Sequence, residues 1–299
     1  MAREKGGFWV GFAAAVFYPL SYLAGKPKYE GREHLPAEGG ALLVANHISY
    51  LDPVFTALWV YSARRVPRFL AKASLWKVPV LGKVLLGTGQ IPVYRDSADA
   101  QRSLAAGVEG LADGKVVVIY PEGTITRDPE GWPMHSRTGA ARLALSSEVP
   151  VLPMVHWGTR EVYDHYNKKV RPFPRRRITV RTGEPIDLSA YRDRPIDATI
   201  LREVTELFMT RCKELLADVR DETPPPGFYR RATEGRTAEA ATPEAERNEV
   251  IAPGDAASEA MPSQAPLSET SETSETSETA PSETSEAATP EVERNGGAA

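Results

Sequence analysis

Residues 115–124 read KVVVIYPEGT. The run Lys115–Tyr120 is apolar without alternation, the pattern of a strand covered on both faces. It then breaks into a proline, a carboxylate, a glycine and a hydroxyl. Working outward, short apolar runs alternate with helical patterns. Strands are expected at Ala41–Ala45, Arg68–Ala71, Gln90–Tyr94, Lys115–Tyr120, Val151–His156 and Ile178–Arg181. Helices are expected at Pro53–Ser62, Val80–Leu86, Ala98–Ala112, Thr138–Ser147 and Asp197–Val219. This alternation argues for an α/β fold with a largely parallel central sheet flanked by helices. In such sheets ligands sit beyond the carboxyl ends of the strands. Three unusual loops, at Asn46, at Tyr94–Asp96 and at Pro121–Arg127, all follow expected strands.

The chain of 299 residues divides into three segments. Residues 1–30 form an apolar N-terminal segment, residues 31–220 a domain with its own core, and residues 221–299 a tail. The tail is rich in Pro, Ser, Thr, Glu and Ala. It holds too few large apolar residues to offset its ordering entropy, so it reads as disordered. It also carries low-complexity repeats: SETSETSETSET at 268–279, and ATPEAERN at 241–248 echoed as ATPEVERN at 288–295. The net charge of −4 hides an asymmetry: 17 acids and 5 bases in residues 221–299, against 31 bases and 23 acids in residues 1–220. A basic folded part suits an anionic partner, whether a phosphate-bearing substrate, an anionic lipid surface or a nucleic acid. The single cysteine, Cys212, excludes an internal disulfide and a cysteine-based metal cluster. It falls within a helical apolar pattern and reads as a core thiol.

Residues 8–24, FWVGFAAAVFYPLSYLA, carry no charge, and Lys26, Lys28 and Arg32 follow them. As a helix they would span about 25 Å, short of a hydrocarbon core near 30 Å. Pro19 would kink or end such a helix. A signal peptide and a transmembrane anchor are open readings. An interfacial or re-entrant helix, with Trp9, Tyr18 and Tyr22 at headgroup depth, fits best. Residues 26–32 and 168–177 are candidates for a basic face against the membrane.

The chemistry-bearing residues begin with VANHISYLDP at 44–53. Five helical residues would leave His47 and Asp52 about 140° apart, so a continuous helix cannot pair them. A tight turn through Ile48–Leu51 into Pro53 could. The carboxylate would then fix the imidazole tautomer and leave the other nitrogen as a base. The competing reading makes Asp52 an N-cap. Arg95, at the end of GQIPVYRD, is a candidate phosphate fork. In the loop after Tyr120, the Gly123 amide is a candidate anion donor. There is no Gly-x-Ser-x-Gly elbow, no Walker loop and no Gly-x-Gly-x-x-Gly after a strand, and the other histidines lack metal-ligand spacing. A His–Asp pair without an enzyme nucleophile points to a base acting directly on a substrate hydroxyl.

Four blocks in order carry a resemblance: NHISYLD, GTGQIPVYR, YPEGT and VPVLPM. Together they resemble the glycerolipid acyltransferase family, whose central member is 1-acylglycerol-3-phosphate acyltransferase, across about residues 31–185. The resemblance implies that His47, oriented by Asp52, deprotonates the acceptor hydroxyl, which then attacks the thioester of acyl-CoA or acyl carrier protein. It assigns the acceptor site to Asn46, Arg95, Glu122, Gly123, Thr124 and Arg127. It implies lysophosphatidic acid as acceptor, membrane lipids as surroundings, a position on the cytoplasmic face of the membrane, and no metal, cofactor or nucleic acid. The family usually has arginine directly after Pro-Glu-Gly-Thr, where this chain has Ile125. The cation is then expected from Arg127, or from Arg95 with Lys72 or Arg137. Another lysophospholipid or a glycolipid is the alternative acceptor. A thioesterase and a non-catalytic membrane scaffold with an acidic partner-binding tail are the readings from other classes.

Overall fold

The computed structural model describes residues 6–94 and 99–230, all within one compact unit. Its elements run in this order. Helix α1 (Gly7–Ala24) leads directly into β1 (Gly25–Glu30), followed by β2 (Ala41–Ala45), α2 (Asp52–Ser62), β3 (Pro67–Lys72), α3 (Leu81–Gly87), β4 (Ile91–Val93), α4 (Asp99–Ala112) and β5 (Val116–Ile119). Then come α5 (Gly139–Leu145), β6 (Val151–Trp157), α6 (Thr159–Val162), β7 (Tyr163–Asp164), β8 (Lys169–Val170), β9 (Arg176–Thr182), α7 (Ser189–Arg192) and α8 (Ala198–Arg220). Seven strands form one sheet in the order β1-β9-β6-β2-β5-β3-β4. It is parallel except between β6 and β9, and β7 and β8 make a separate small hairpin.

The central strands β2, β5 and β6 are buried along their length because helices cover both faces. The two-residue side-chain period sorts each strand between two cores. Leu42, Val44, Val117 and Ile119 face α5 and α8, with Leu143, Phe208 and Leu216. Leu43, Val116, Val118 and Met154 face α2, with Phe55 and Trp59. Burying side chains of this size stabilises the fold by about 1.5–3 kcal/mol each. Helix α8 starts where Asp197 Oδ1 accepts from the Thr199 and Ile200 amides, each at 2.8 Å. It buries a stripe of Ile200, Val204, Phe208, Cys212 and Leu216. Cys212 is a core thiol, and burial pushes it up to about 12.

The expected α/β architecture is present, with every expected strand and helix in place to within two residues or so. Four features were not anticipated. Strand β1, GKPKYE, reads as a polar flank in the sequence, yet it pairs in parallel with β9 from Gly25↔Arg176 to Glu30↔Arg181. An edge strand needs only one covered face, so its apolar signal is faint. The antiparallel setting of β9 and the β7–β8 hairpin have no local signature either. Past α8, contacts continue: the His135 amide donates to the Tyr229 carbonyl at 2.9 Å, and Lys213 Nζ reaches the Gly227 carbonyl. The expected tail beyond Arg230 lies outside the described residues.

Arg65, 5% exposed, ties three loops beneath the sheet. Its guanidinium donates to the Pro36, Gly39 and Gly114 carbonyls at 2.8, 2.7 and 2.6 Å. Replacing it by leucine leaves these acceptors without their charged donor. Arg65→Leu is therefore expected to lower unfolding stability by at least about 3 kcal/mol, read from urea denaturation.

Candidate active site

The loop after β2 and the loop after β5 meet at the carboxyl end of the sheet, where the topology expects a site. A turn closed by the Asp52 amide donating to the Ser49 carbonyl at 3.0 Å folds residues 48–51 back. That brings His47 Nδ1 to 2.9 Å from Asp52 Oδ2. The same oxygen accepts the Ile48 amide at 2.7 Å and the Ser49 amide at 2.8 Å. The other oxygen, Oδ1, accepts the Thr159 hydroxyl at 2.5 Å. Asp52 is thus the anchor of the turn, and its side chain does not cap α2.

Complete burial alone would raise the Asp52 carboxyl, but the His47 hydrogen bond, the neighbouring His156 and His47 imidazoles and the Thr159 hydroxyl outweigh it. The net shift is downward, so the group is an anion and can only accept. It follows that Nδ1 carries the proton toward Asp52 and Nε2 carries the free lone pair. Nε2 has no protein partner among the described residues, and the side chain keeps 11% of its surface exposed. Tyr120 stacks on the imidazole at 4.5 Å between ring centroids and 28° between planes. Its hydroxyl shares Thr56 Oγ1 with His156, which holds the ring from behind. Burial lowers His156, the effect that dominates its surroundings, so it is a neutral core residue.

Glu122 is buried as well, with a different outcome. Its Oε1 accepts the His47 amide at 2.9 Å and its Oε2 the Met134 amide at 3.3 Å. Desolvation exceeds the help of these donors and pushes the carboxyl up to about 8. The Thr126 amide adds a bond to the His47 carbonyl at 2.6 Å. Glu122 and Thr126 therefore clamp both backbone groups of the histidine.

The site residues expected from sequence divide as follows. His47, Asp52 and Glu122 come together, with Glu122 set beneath the histidine. Asn46 faces the neighbouring strand: its Oδ1 accepts the His156 amide at 2.7 Å and its Nδ2 donates to the His156 carbonyl at 3.2 Å. The Gly123 amide is taken by the Tyr120 carbonyl at 2.9 Å, closing the turn. Thr124 and Arg127 are exposed and line a cavity of about 1250 Å³ together with Arg137, Arg142 and Arg202. Glu122 belongs to its wall and joins it to the histidine loop, while the His47 ring is outside it. Ile125 is 2% exposed, so its side chain completes the core at the position where the family usually carries arginine. Lys72 is exposed at the end of β3, and Arg95 lies outside the described residues. Among the described residues no group of three His, Cys, Asp or Glu could hold a metal.

Residues 26–157 match the family model described as Acyltransferase. Over this stretch the chain is similar to that family. It is 30% identical over 172 residues to a 1-acyl-sn-glycerol-3-phosphate acyltransferase of Limnanthes douglasii, covering 57% of this chain and 58% of the relative. Against the protein of the same name from Bacillus subtilis it is 24% identical over 204 residues, covering 68% of this chain and 95% of the relative. The crystal structure of the 1-acyl-sn-glycerophosphate acyltransferase PlsC from Thermotoga maritima superposes with a TM-score of 0.50 at 26% identity, covering 70% of this chain and 78% of that one. The chain spans between 40% and 60% of the length of the plant relatives it matches first.

Thr159 is the functional residue that sequence reasoning missed. It lies 107 positions from Asp52, and its only local sign is the preceding Gly158 in the left-handed region at φ +92°. A Cβ there would lie 2.1 Å from the Arg177 carbonyl oxygen, so glycine alone permits the turn that aims Thr159 at Asp52. Thr159→Val is expected to cost on the order of tenfold in kcat, equivalent to about 1.4 kcal/mol of lost positioning. KM should hold, and Thr159→Ser should restore the rate.

A second expectation concerns pH. The folded Glu122 carboxyl, at about 8, keeps a proton that the unfolded chain, at 4.5, releases. Between those limits the native state binds more protons, so this group makes stability fall as pH rises. Glu122→Gln removes that slope. The gap in urea midpoint between variant and parent should therefore shift in the variant's favour from pH 5 to pH 8.

Proposed function

We propose that the protein transfers an acyl group from acyl-CoA or acyl carrier protein to the sn-2 hydroxyl of lysophosphatidic acid, giving phosphatidic acid. The observation that carries this reading is the His47–Asp52 pair, with Nδ1 held by an ionised carboxylate and Nε2 unpartnered among the described residues. The activity named for the relatives supports it.

In this mechanism Nε2 accepts the proton of the acceptor hydroxyl as its oxygen bonds to the thioester carbon. Asp52 stabilises the imidazolium that forms. The tetrahedral intermediate collapses, the C–S bond breaks, and the imidazolium returns its proton to the leaving thiolate. General-base catalysis of this kind contributes about 10²–10⁴-fold. Holding the two substrates in line supplies much of the rest. The exposed Arg127 and Thr124, with Arg137, Arg142 and Arg202 around the same cavity, offer guanidinium forks and a hydroxyl for a phosphate. Arg95, at the end of the second block, contributes to the acceptor site in the same reading.

Both substrates carry fatty chains, and α1 is long and apolar enough to cross a membrane by length and composition. Its setting favours lying flat in one leaflet. At one end Trp9 packs over Gly87 of α3; at the other the helix runs straight into β1. Phe8, Phe12, Leu20 and Leu23 stay exposed along its outer side. The two basic segments also lie side by side, because Gly25 and Lys26 pair with Arg176 and Arg177. This face would rest on the cytoplasmic leaflet, where anionic lipids and the soluble thioester donors are found.

The buried Ile125 favours one second reading, in which the acceptor is another lysophospholipid or a glycolipid. Competing acceptors in a single reaction with radiolabelled acyl-CoA separate the two: lysophosphatidic acid should dominate the product. His47→Ala is expected to lower kcat by at least about 10²-fold with folding intact. Full transfer activity in that variant would remove the mechanism.

A further inference from the structure

Between the histidine loop and Arg95 the sequence has an unusual charge pattern. From Pro53 to Tyr94 there are six bases, Arg64, Arg65, Arg68, Lys72, Lys77 and Lys83, and no acid. Residues 75–86 within this stretch, LWKVPVLGKVLL, hold two lysines among eight aliphatic or aromatic residues, with Pro79 and Gly82. A segment so apolar would be expected in the core. Instead Leu75, Val78, Leu81, Val80 and Leu86 are exposed, the last two at 67% and 73%. Val80 sits at the tip with φ +65°, a conformation that a β-branched side chain resists, and it holds its isopropyl group in solvent. Packing within the domain accounts for neither feature.

This surface is continuous with the outer side of α1, since Trp9 packs on Gly87 and α1 touches α3. It also leads to the site. The segment leaves β3 at Lys72 and returns through β4 to Tyr94, and both of those strands end on the side where His47 lies. We propose that residues 75–86 are a second lipid-binding element, entering an anionic phospholipid leaflet beside α1 and opening a path from the leaflet to the site. The inference rests on the membrane reading of α1. The apolar side chains enter the acyl region, Lys77 and Lys83 meet phosphates, and the missing acids leave nothing to repel an anionic surface. A lipid drawn from the leaflet at this point meets the end of the sheet without crossing water.

The test uses the full chain and vesicles of phosphatidylcholine with about 30% phosphatidylglycerol, a leaflet of negative surface potential. Cys212 is fully buried, so Leu86→Cys accepts an environment-sensitive dye at one site. Vesicles should shift that dye to the blue, and brominated acyl chains should quench it. The double variant Val80→Asp, Leu86→Asp should partition to vesicles at least tenfold more weakly. It should lose transfer activity on vesicle-borne acceptor while keeping it on a monomeric short-chain acceptor. Phe12→Asp in α1 reports on the underlying membrane reading. If the parent and Leu86→Cys proteins bind vesicles but the dye stays unquenched, the proposal is overturned while that reading stands. If the parent fails to bind, both fall. A blue shift that grows with protein concentration in the absence of lipid would also overturn it, because the surface would then be covered by another copy. Should the double variant misfold, the dye measurement decides by itself.

Discussion

One carboxylate oxygen, Asp52 Oδ2, gathers the Ile48 and Ser49 amides and the His47 ring within 2.9 Å. Charge-assisted bonds of this kind are roughly twice as strong as neutral ones. Here they convert a strand end into a turn of fixed shape. The same anion determines which imidazole nitrogen holds the proton. Shape and protonation state thus share one cause, so the turn cannot be altered without changing the base. The Thr159 hydroxyl on the opposite oxygen couples this anchor to β6, and Glu122 and Thr126 couple the histidine backbone to the loop after β5.

Two buried carboxyls under one histidine end in opposite states for a physical reason. Asp52 receives three donors on one oxygen and one on the other, and it faces two imidazoles. Glu122 has two backbone amides as its closest donors, and the ionised Asp52 nearby works against its charge. Desolvation is common to both, and the local donors decide the sign. The outcome is useful: an anion where the imidazolium must be stabilised, and a group at the edge of neutrality where a second full charge would compete for it.

The sheet supplies the rest of the positioning. β2 lies at the centre, with β5 and β6 as its neighbours, so the residues after it lie between the loops of both. Trp132 and Trp157 enclose the Arg220 guanidinium at 4.0 and 4.2 Å, which fastens the end of α8 to the loop beyond Glu122. On the opposite core, α1 lies over α2 with an apolar outer side and continues into β1.

The amino-acid sequence by itself determined the α/β class and where along the chain the buried strands fall, and it offered the pairing of His47 with Asp52 as one of two readings. Each is a local signal: an unbroken apolar run, a helical period, or two polar residues five apart before a proline. It was less informative wherever the partner is distant. Glu122 looked like a ligand for substrate because its loop is unusual, yet its oxygens face two backbone amides inside the protein. Asn46 entered the site through the resemblance, and its side chain bonds the backbone of His156 on β6. Thr159, Tyr120 and the strand β1 acquire their roles only when chain segments up to 150 residues apart meet, as Arg175 and Gly25 do. Tertiary structure alone decided which polar atoms are satisfied internally and which are left for a substrate, because that depends on the whole set of neighbours, and periodicity reports only on which face a residue occupies.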